Sequence, residues 1–210
     1  MAYDLQEQEQ LAELRALWEK YGNLVTTVLA LLLLALAGYW GWQRYQVGQA
    51  AEAAAIYEQL NKAVSENNAA KTKEVAGTLL ERFARTVYAP LAALQAARVN
   101  HDSGDLAAAR AQLQWVLDQS RYPEFAWLAR VRLAGVLLDE KSYDPALQVL
   151  APTPPANFAA AFADRRGDIL LAQGHVDDAR RAWRDALERS GNQGPLRNMI
   201  QLKLDALPAS

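Results

Sequence analysis

Polar and apolar positions divide the chain into three unlike parts. In residues 1–20 the apolar residues Leu11, Leu14 and Trp18, continued by Tyr21, recur at helical spacing, behind Asp4 as a candidate cap and Glu7 three positions further on. From Tyr21 to Gln43 follow 23 uncharged residues, bracketed by Lys20 and Arg44. From about residue 46 to residue 210 an amphipathic helical period returns and continues. The pattern therefore predicts an all-α protein: a tail over 1–20, a single membrane-crossing helix over 21–43, and a helical domain over 46–210.

The middle segment is apolar all round through "VLALLLLALA" (28–37), with no polar face of the kind a buried core helix shows. As a helix it is roughly 34 Å long, slightly more than the ~30 Å of bilayer hydrocarbon. Tyr39, Trp40, Trp42 and Tyr45 stand where an interfacial aromatic belt belongs, and Tyr21 marks the opposite boundary. A secretory signal peptide is the competing reading, because Ala35-Leu36-Ala37 has the small-x-small form of a cleavage site. Against it, the residues before the run carry Asp4, Glu7, Glu9, Glu13 and Glu19, whereas a signal peptide opens with a short positive region. An uncleaved anchor is the better reading. Arg15 and Lys20 on one side and Arg44 on the other lean only slightly toward a cytoplasmic amino terminus. The tail reads either as the surface-lying start of the anchor helix or as a docking element. Its acidity speaks against adhesion to anionic lipid.

Beyond the anchor four stretches resemble one another: "KTKEVAGTLLERFA", "GDLAAARAQLQWVL", "KSYDPALQVLAPTP" and "GHVDDARRAWRDAL". Aligning them puts Ala76, Ala109, Ala146 and Ala179 in register, with spacings of 33, 37 and 33 residues. Four positions later come Leu80, Leu113, Leu150 and Trp183, one turn along the same helical face, where a large side chain fills the groove a small one leaves. Twelve positions before the alanines lie Val64, Ala97, Ala134 and Gly167, slim residues suited to close helix approach. Gly104 and Gly174 mark turns, followed by Asp105 and Asp177, and Asp144-Pro145 reads as a cap followed by proline at the first helical position. Each unit is a helix, a tight turn and a helix with a period near 34, the dimensions of a tetratricopeptide repeat. The expected units cover about 46–88, 89–122, 125–153 and 157–191, with a capping helix over 195–207 carrying Met199, Ile200, Leu202 and Leu204. The first unit lacks the turn glycine, and the second helix of the third stops at Pro152-Thr153-Pro154-Pro155.

Stacked repeats bury apolar stripes that no single repeat can cover, and they present a concave face lined by the first helix of each unit. By register, Leu94, Arg98, His101, Val131, Leu138, Asp164, Asp168 and Leu171 are candidates for that groove; the four apolar ones fit a core role equally well. Extended segments and partner helices bind such surfaces.

Composition narrows the chemistry. Alanine carries much of the 51% apolar share, which with few glycines and prolines favours helix. A net charge of −2 with no basic excess excludes nucleic acid as an expected partner. There is no cysteine, hence no disulfide and no thiolate metal site. His101 and His175 are far apart, and no zinc-protease, nucleophile-elbow, P-loop or dinucleotide motif occurs. Asp177-Asp178 are explained by capping and the helix dipole rather than a metal. Arg180, Arg181 and Arg184 form a solvated face, and Trp115, Trp127 and Trp183 are packing residues. No enzymatic activity and no cofactor are expected; an envelope hydrolase would need His101 or His175 to carry it.

The order of parts, with "EQEQLAELRALWEKYGN" (7–23) and "ADRRGDILLAQGHVDDARRAWRDAL" (163–187), resembles the YfgM family, ancillary subunits of the bacterial SecYEG translocon. The anchor matches in kind only, and the first and third units match poorly. The resemblance implies an inner-membrane protein with a cytoplasmic amino terminus and periplasmic repeats. It also implies association with SecYEG and with PpiD, a membrane-anchored periplasmic chaperone, and a part in passing translocating clients to chaperones. A structural scaffold of another envelope complex, such as outer-membrane assembly machinery, is the alternative.

Overall fold

A computed structural model describes the backbone of residues 2–207 and the side chains of residues 11–207. The proposed Asp4 cap and Glu7 therefore lie outside the described side chains. Among the described residues all regular elements are helices: α1 (Ala2–Ser65), α2 (Ala69–Arg82), α3 (Tyr88–Asp102), α4 (Leu106–Gln119), α5 (Glu124–Asp139), α6 (Tyr143–Val149), α7 (Ala156–Ala172), α8 (Val176–Arg189) and α9 (Pro195–Asp205). The chain divides into two units, Met1–Gln49 and Ala50–Ser210, so α1 contributes to both.

In the first unit, α1 carries an apolar window of mean hydropathy 2.0, none of it buried, on a helix long enough to cross a membrane. Leu24, Leu31, Leu34 and Trp40 are all more than 60% exposed, an apolar surface that water would not tolerate and hydrocarbon would cover. Thr26 and Thr27 return their hydroxyls to carbonyls one turn back, so their polar groups are satisfied within the helix.

The second unit is four helix pairs and a cap. One turn builds all four pairs. At Asn67, Gly104, Lys141 and Gly174 the backbone enters the left-handed region, with φ of 53°, 80°, 60° and 84°. The amide of the next residue reaches back five positions: Asn68 to Ala63, Asp105 to Asn100, Ser142 to Leu137 and His175 to Leu170, at 2.8–2.9 Å. The left-handed residue itself donates to the carbonyl three positions back in each case, which completes the Schellman closure of a helix end. The residue after it then opens the second helix. Asn68 and Asp105 do so with a side-chain cap, accepting from Lys71 and Ala108 at 3.0 and 3.1 Å.

These turns correct two readings of the sequence. Counting from the left-handed residue, the place of Ala109, Ala146 and Ala179 is taken in the first pair by Thr72, and the place of Ala97, Ala134 and Gly167 by Leu60. The alignment through Ala76 and Val64 is thus one helical turn out of step, because Asn67 conceals the turn that a glycine would have marked. In the third pair α6 starts at Tyr143 with Ser142 before it, so Asp144 lies in the first turn and is not the cap. Pro145 fits there because amides of the first turn have no partner inside the helix to lose.

The packing follows. Ala109, Ala146 and Ala179 are fully buried, as is Thr72, and one turn later Leu113, Leu150 and Trp183 fill the space between the paired helices. Trp183 lies against Gly167, where a Cβ would collide with the indole nitrogen, and that nitrogen donates to the Asp164 carbonyl at 3.1 Å. The core runs in three clusters: one around Leu60, Leu79 and Phe83, a central one around Leu113, Leu133, Leu150 and Phe162, and one around Trp183 and Ile200. Trp127 meets Phe162 edge-on at 5.8 Å, and Trp115 and Trp127 are both partly buried against the central cluster. The last helix, α9, packs on α8. Arg197 fixes its start by donating to the carbonyls of Leu187 and Gly191 at 2.9 and 3.0 Å.

Two glycine substitutions separate packing from backbone freedom. Gly167→Ala is expected to destabilise the repeat domain by about 1–3 kcal/mol, because the indole must move within a filled core. Gly77→Ala, at a helical position with open space around it, is expected to stabilise by about 0.5–1 kcal/mol. Thermal melts followed by circular dichroism read both.

Candidate functional site

The first helices α3, α5 and α7 pack side by side. A cavity of 370 Å³ opens on this row, lined among others by Arg98 and His101 of α3, Arg132, Gly135 and Asp139 of α5, and Arg165 of α7. Arg132 and Arg165 hold the same place in successive repeats, nine residues before the left-handed turn residue. Arg132 is half-buried and donates to the Leu94 carbonyl at 3.1 Å. Burial, and then the neighbouring Arg98 guanidinium, lower its pKa from the usual arginine value. Arg165 donates to Asp168 at 3.2 Å, while its Nε is buried without a partner. Its guanidinium carbon lies 3.3 Å from where a Gly135 Cβ would be, so glycine at 135 makes room for it.

At the rim, His101 Nε2 meets Asp139 Oδ2 at 2.6 Å, and Asp102 lies 3.6 Å from Nδ1. The hydrogen bond to Asp139 is the main cause that raises the His101 pKa above its usual 6.5. The folded state thus favours protonated His101. Its contribution to stability is full below the ordinary value and fades as pH rises through the raised one. In Asp139→Asn, the titration of His101 followed by NMR is expected to fall back toward 6.5, and this component of the pH dependence should go with it.

The eight groove candidates separate. Arg98 and His101 line the cavity. Val131 and Leu138 are partly buried and pack on the central cluster, Leu94 lies in it at 4% exposure, and Leu171 is 38% exposed. Asp164 and Asp168 do not line the cavity but come together beside it: Lys203 of α9 bonds them at 2.7 and 2.6 Å, and Asp168 also accepts from Arg165. Asp164 is 5% exposed, and desolvation raises its pKa above the usual aspartate value despite that lysine. This pair of carboxylates ties the cap to the last repeat. Sequence reasoning missed Arg132, Arg165 and Asp139. The recurrence of arginine at one repeat position was the signal available.

Lys203→Met is expected to cost about 2 kcal/mol in chemical denaturation, less than a fully buried pair because the lysine is partly exposed. Adding Asp164→Asn should recover part of that loss, since it removes the unpaired charge.

The remaining chemistry is structural. Asp177 pairs with Arg180 and Asp178 with Arg181, each three residues apart on the first turns of α8. Among the described residues no group of three metal-ligating side chains forms, and His175 stands alone at the start of α8, far in sequence from His101.

Comparison with known proteins now decides the family. A family model described as a tetratricopeptide repeat-like domain matches residues 15–209. The chain is 34% identical to the ancillary SecYEG translocon subunit of Neisseria gonorrhoeae, covering 99% of this chain and 100% of that one. It is 31% identical to the subunit of the same name from Escherichia coli over 96% of each chain, and 29% identical to that of Haemophilus influenzae over 99% of this chain. This chain belongs to the YfgM family. No solved structure matches it. Family membership extends across the irregular first and third repeats, whose turns at Asn67 and Lys141 carry no glycine.

Proposed function

We propose that this protein is a non-enzymatic, single-pass accessory subunit of the Sec translocon. Residues 1–20 lie in the cytoplasm, residues 21–43 cross the inner membrane, and the repeat domain from residue 46 works in the periplasm. There it binds SecYEG and a membrane-anchored chaperone of the PpiD kind, and helps to pass translocating clients to periplasmic chaperones. The observation that carries this reading is near-full-length similarity, at up to 34% identity, to proteins named ancillary SecYEG translocon subunits. An exposed apolar helix of spanning length and a stack of binding repeats support it, since an anchor and an interaction surface are what such a subunit needs. Arg98 and His101, with Val131, Leu138 and Leu171 on neighbouring positions, are the groove residues proposed to meet the partner.

Two measurements test this. Protease added to spheroplasts should digest the repeat domain, and a protected domain would reverse the orientation. A photoreactive residue at position 98 or 138 should crosslink in intact membranes to a translocon subunit, a chaperone or a nascent chain. Crosslinks solely to an outer-membrane assembly complex would overturn the Sec assignment in favour of another scaffold.

A further inference from the structure

The cavity across α3, α5 and α7 holds three guanidinium groups against one lining carboxylate, Asp139, and that carboxylate is already engaged by His101. The chain as a whole has a net charge of −2, so this excess of positive charge is local. Among the described residues Arg132 has no ion-pair partner; a backbone carbonyl alone holds it. Arg165 shares its carboxylate, Asp168, with Lys203, and its Nε is buried without an acceptor. Arg98 reaches Asp102 only at 3.7 Å, in solvent. A half-buried guanidinium without an anion is costly unless an anion arrives, and two guanidinium forks one repeat apart suit carboxylates.

We propose that this cavity binds an acidic, extended segment of a partner polypeptide, whose carboxylate side chains pair with Arg132 and Arg165 while Arg98 flanks the entrance. The inference rests on the reading of the repeats as a partner-binding domain and names the chemistry they select. The cavity, at 370 Å³, is of a size to admit the side chains of a short peptide. Gly135 is part of the design: any side chain there would press on the Arg165 guanidinium and close the space between the two forks.

The test uses the full chain in nanodiscs of neutral phosphatidylcholine. The probe is a fluorescent peptide of about ten residues with glutamates on a Gly-Ser background, and its binding is read by anisotropy. The glutamate peptide should bind about tenfold more tightly than its glutamine counterpart, and added salt should erode the difference. Arg132→Gln and Arg165→Gln should each weaken it about tenfold, and exposed Arg98→Gln by a smaller factor, while Arg184→Gln on α8 should leave it unchanged. Helical circular dichroism checks folding; if Arg132→Gln fails to fold, Arg132→Lys and Arg98→Gln carry the test. Equal binding of the two peptides, or an Arg184→Gln loss as large as that at the cavity, overturns the proposal. So does binding of anionic phosphatidylglycerol vesicles with no preference among peptides. Crosslinks to translocon partners without peptide preference would refute the carboxylate chemistry and leave the translocon role standing.

Discussion

Everything in the repeat domain hangs from a turn closed by two backbone hydrogen bonds. It ends each first helix, begins each second one, and fixes which faces meet. Seven residues before the left-handed position and nine after it lie buried residues of the two helices, and their sizes trade against one another. Ala97 answers Leu113, Ala134 answers Leu150, and Gly167 answers Trp183; in the first pair the sizes reverse, Leu60 with Ala76. A core packed to crystal-like density accepts a swap that conserves volume far better than one that does not, so the same turn tolerates opposite size patterns. This also accounts for the regular turn surviving where the sequence repeat looks degraded.

What the sequence made legible follows from the same turn. The apolar span, the helix-turn-helix period and the buried alanines of the later repeats could be read directly, because each leaves a mark at a fixed interval. The first repeat could not, since Asn67 reaches the left-handed region without the glycine that announces it. Lys141 does the same in the third, and the start of α6 was misplaced beside it. The groove was legible in part, since Arg98 and His101 line the cavity, and the rest departs from it for a finer reason. One residue along a helix is about 100° around it, so choosing the place ten before the turn selected Leu94 and Asp164, which point inward. The place nine before it holds Arg132 and Arg165, which line the cavity.

The electrostatics of the last repeat bear on where the proposed binding face stops. Asp164 and Asp168 sit at groove positions by register, yet both pair with Lys203 of the capping helix, Asp168 together with Arg165. A buried carboxylate is tolerable only with a cation and hydrogen bonds close by, and the cap supplies the cation. Lys203 also lies 5.7 Å from the Trp183 ring centroid, so one ammonium group joins the cap to both helices of the pair beneath it. In the proposed role, the cap thereby engages the acidic groove positions of α7, while the positive cavity across α3, α5 and α7 faces a partner.

The proposed site is weak by construction. Its guanidinium groups are partly solvated, its partner is an extended chain that loses conformational freedom on binding, and salt screens what remains. In solution such affinity would accomplish little. In the proposed role the anchor changes the arithmetic, because a binding module tethered to the same membrane as its partners meets them at an effective concentration of order millimolar. Weak contact then gives occupancy without retention, which a subunit that passes chains onward requires: a tight groove would hold the client it should release. The exposed apolar helix and the loosely satisfied arginines are, on this argument, two halves of one design, in which location supplies the affinity that chemistry withholds.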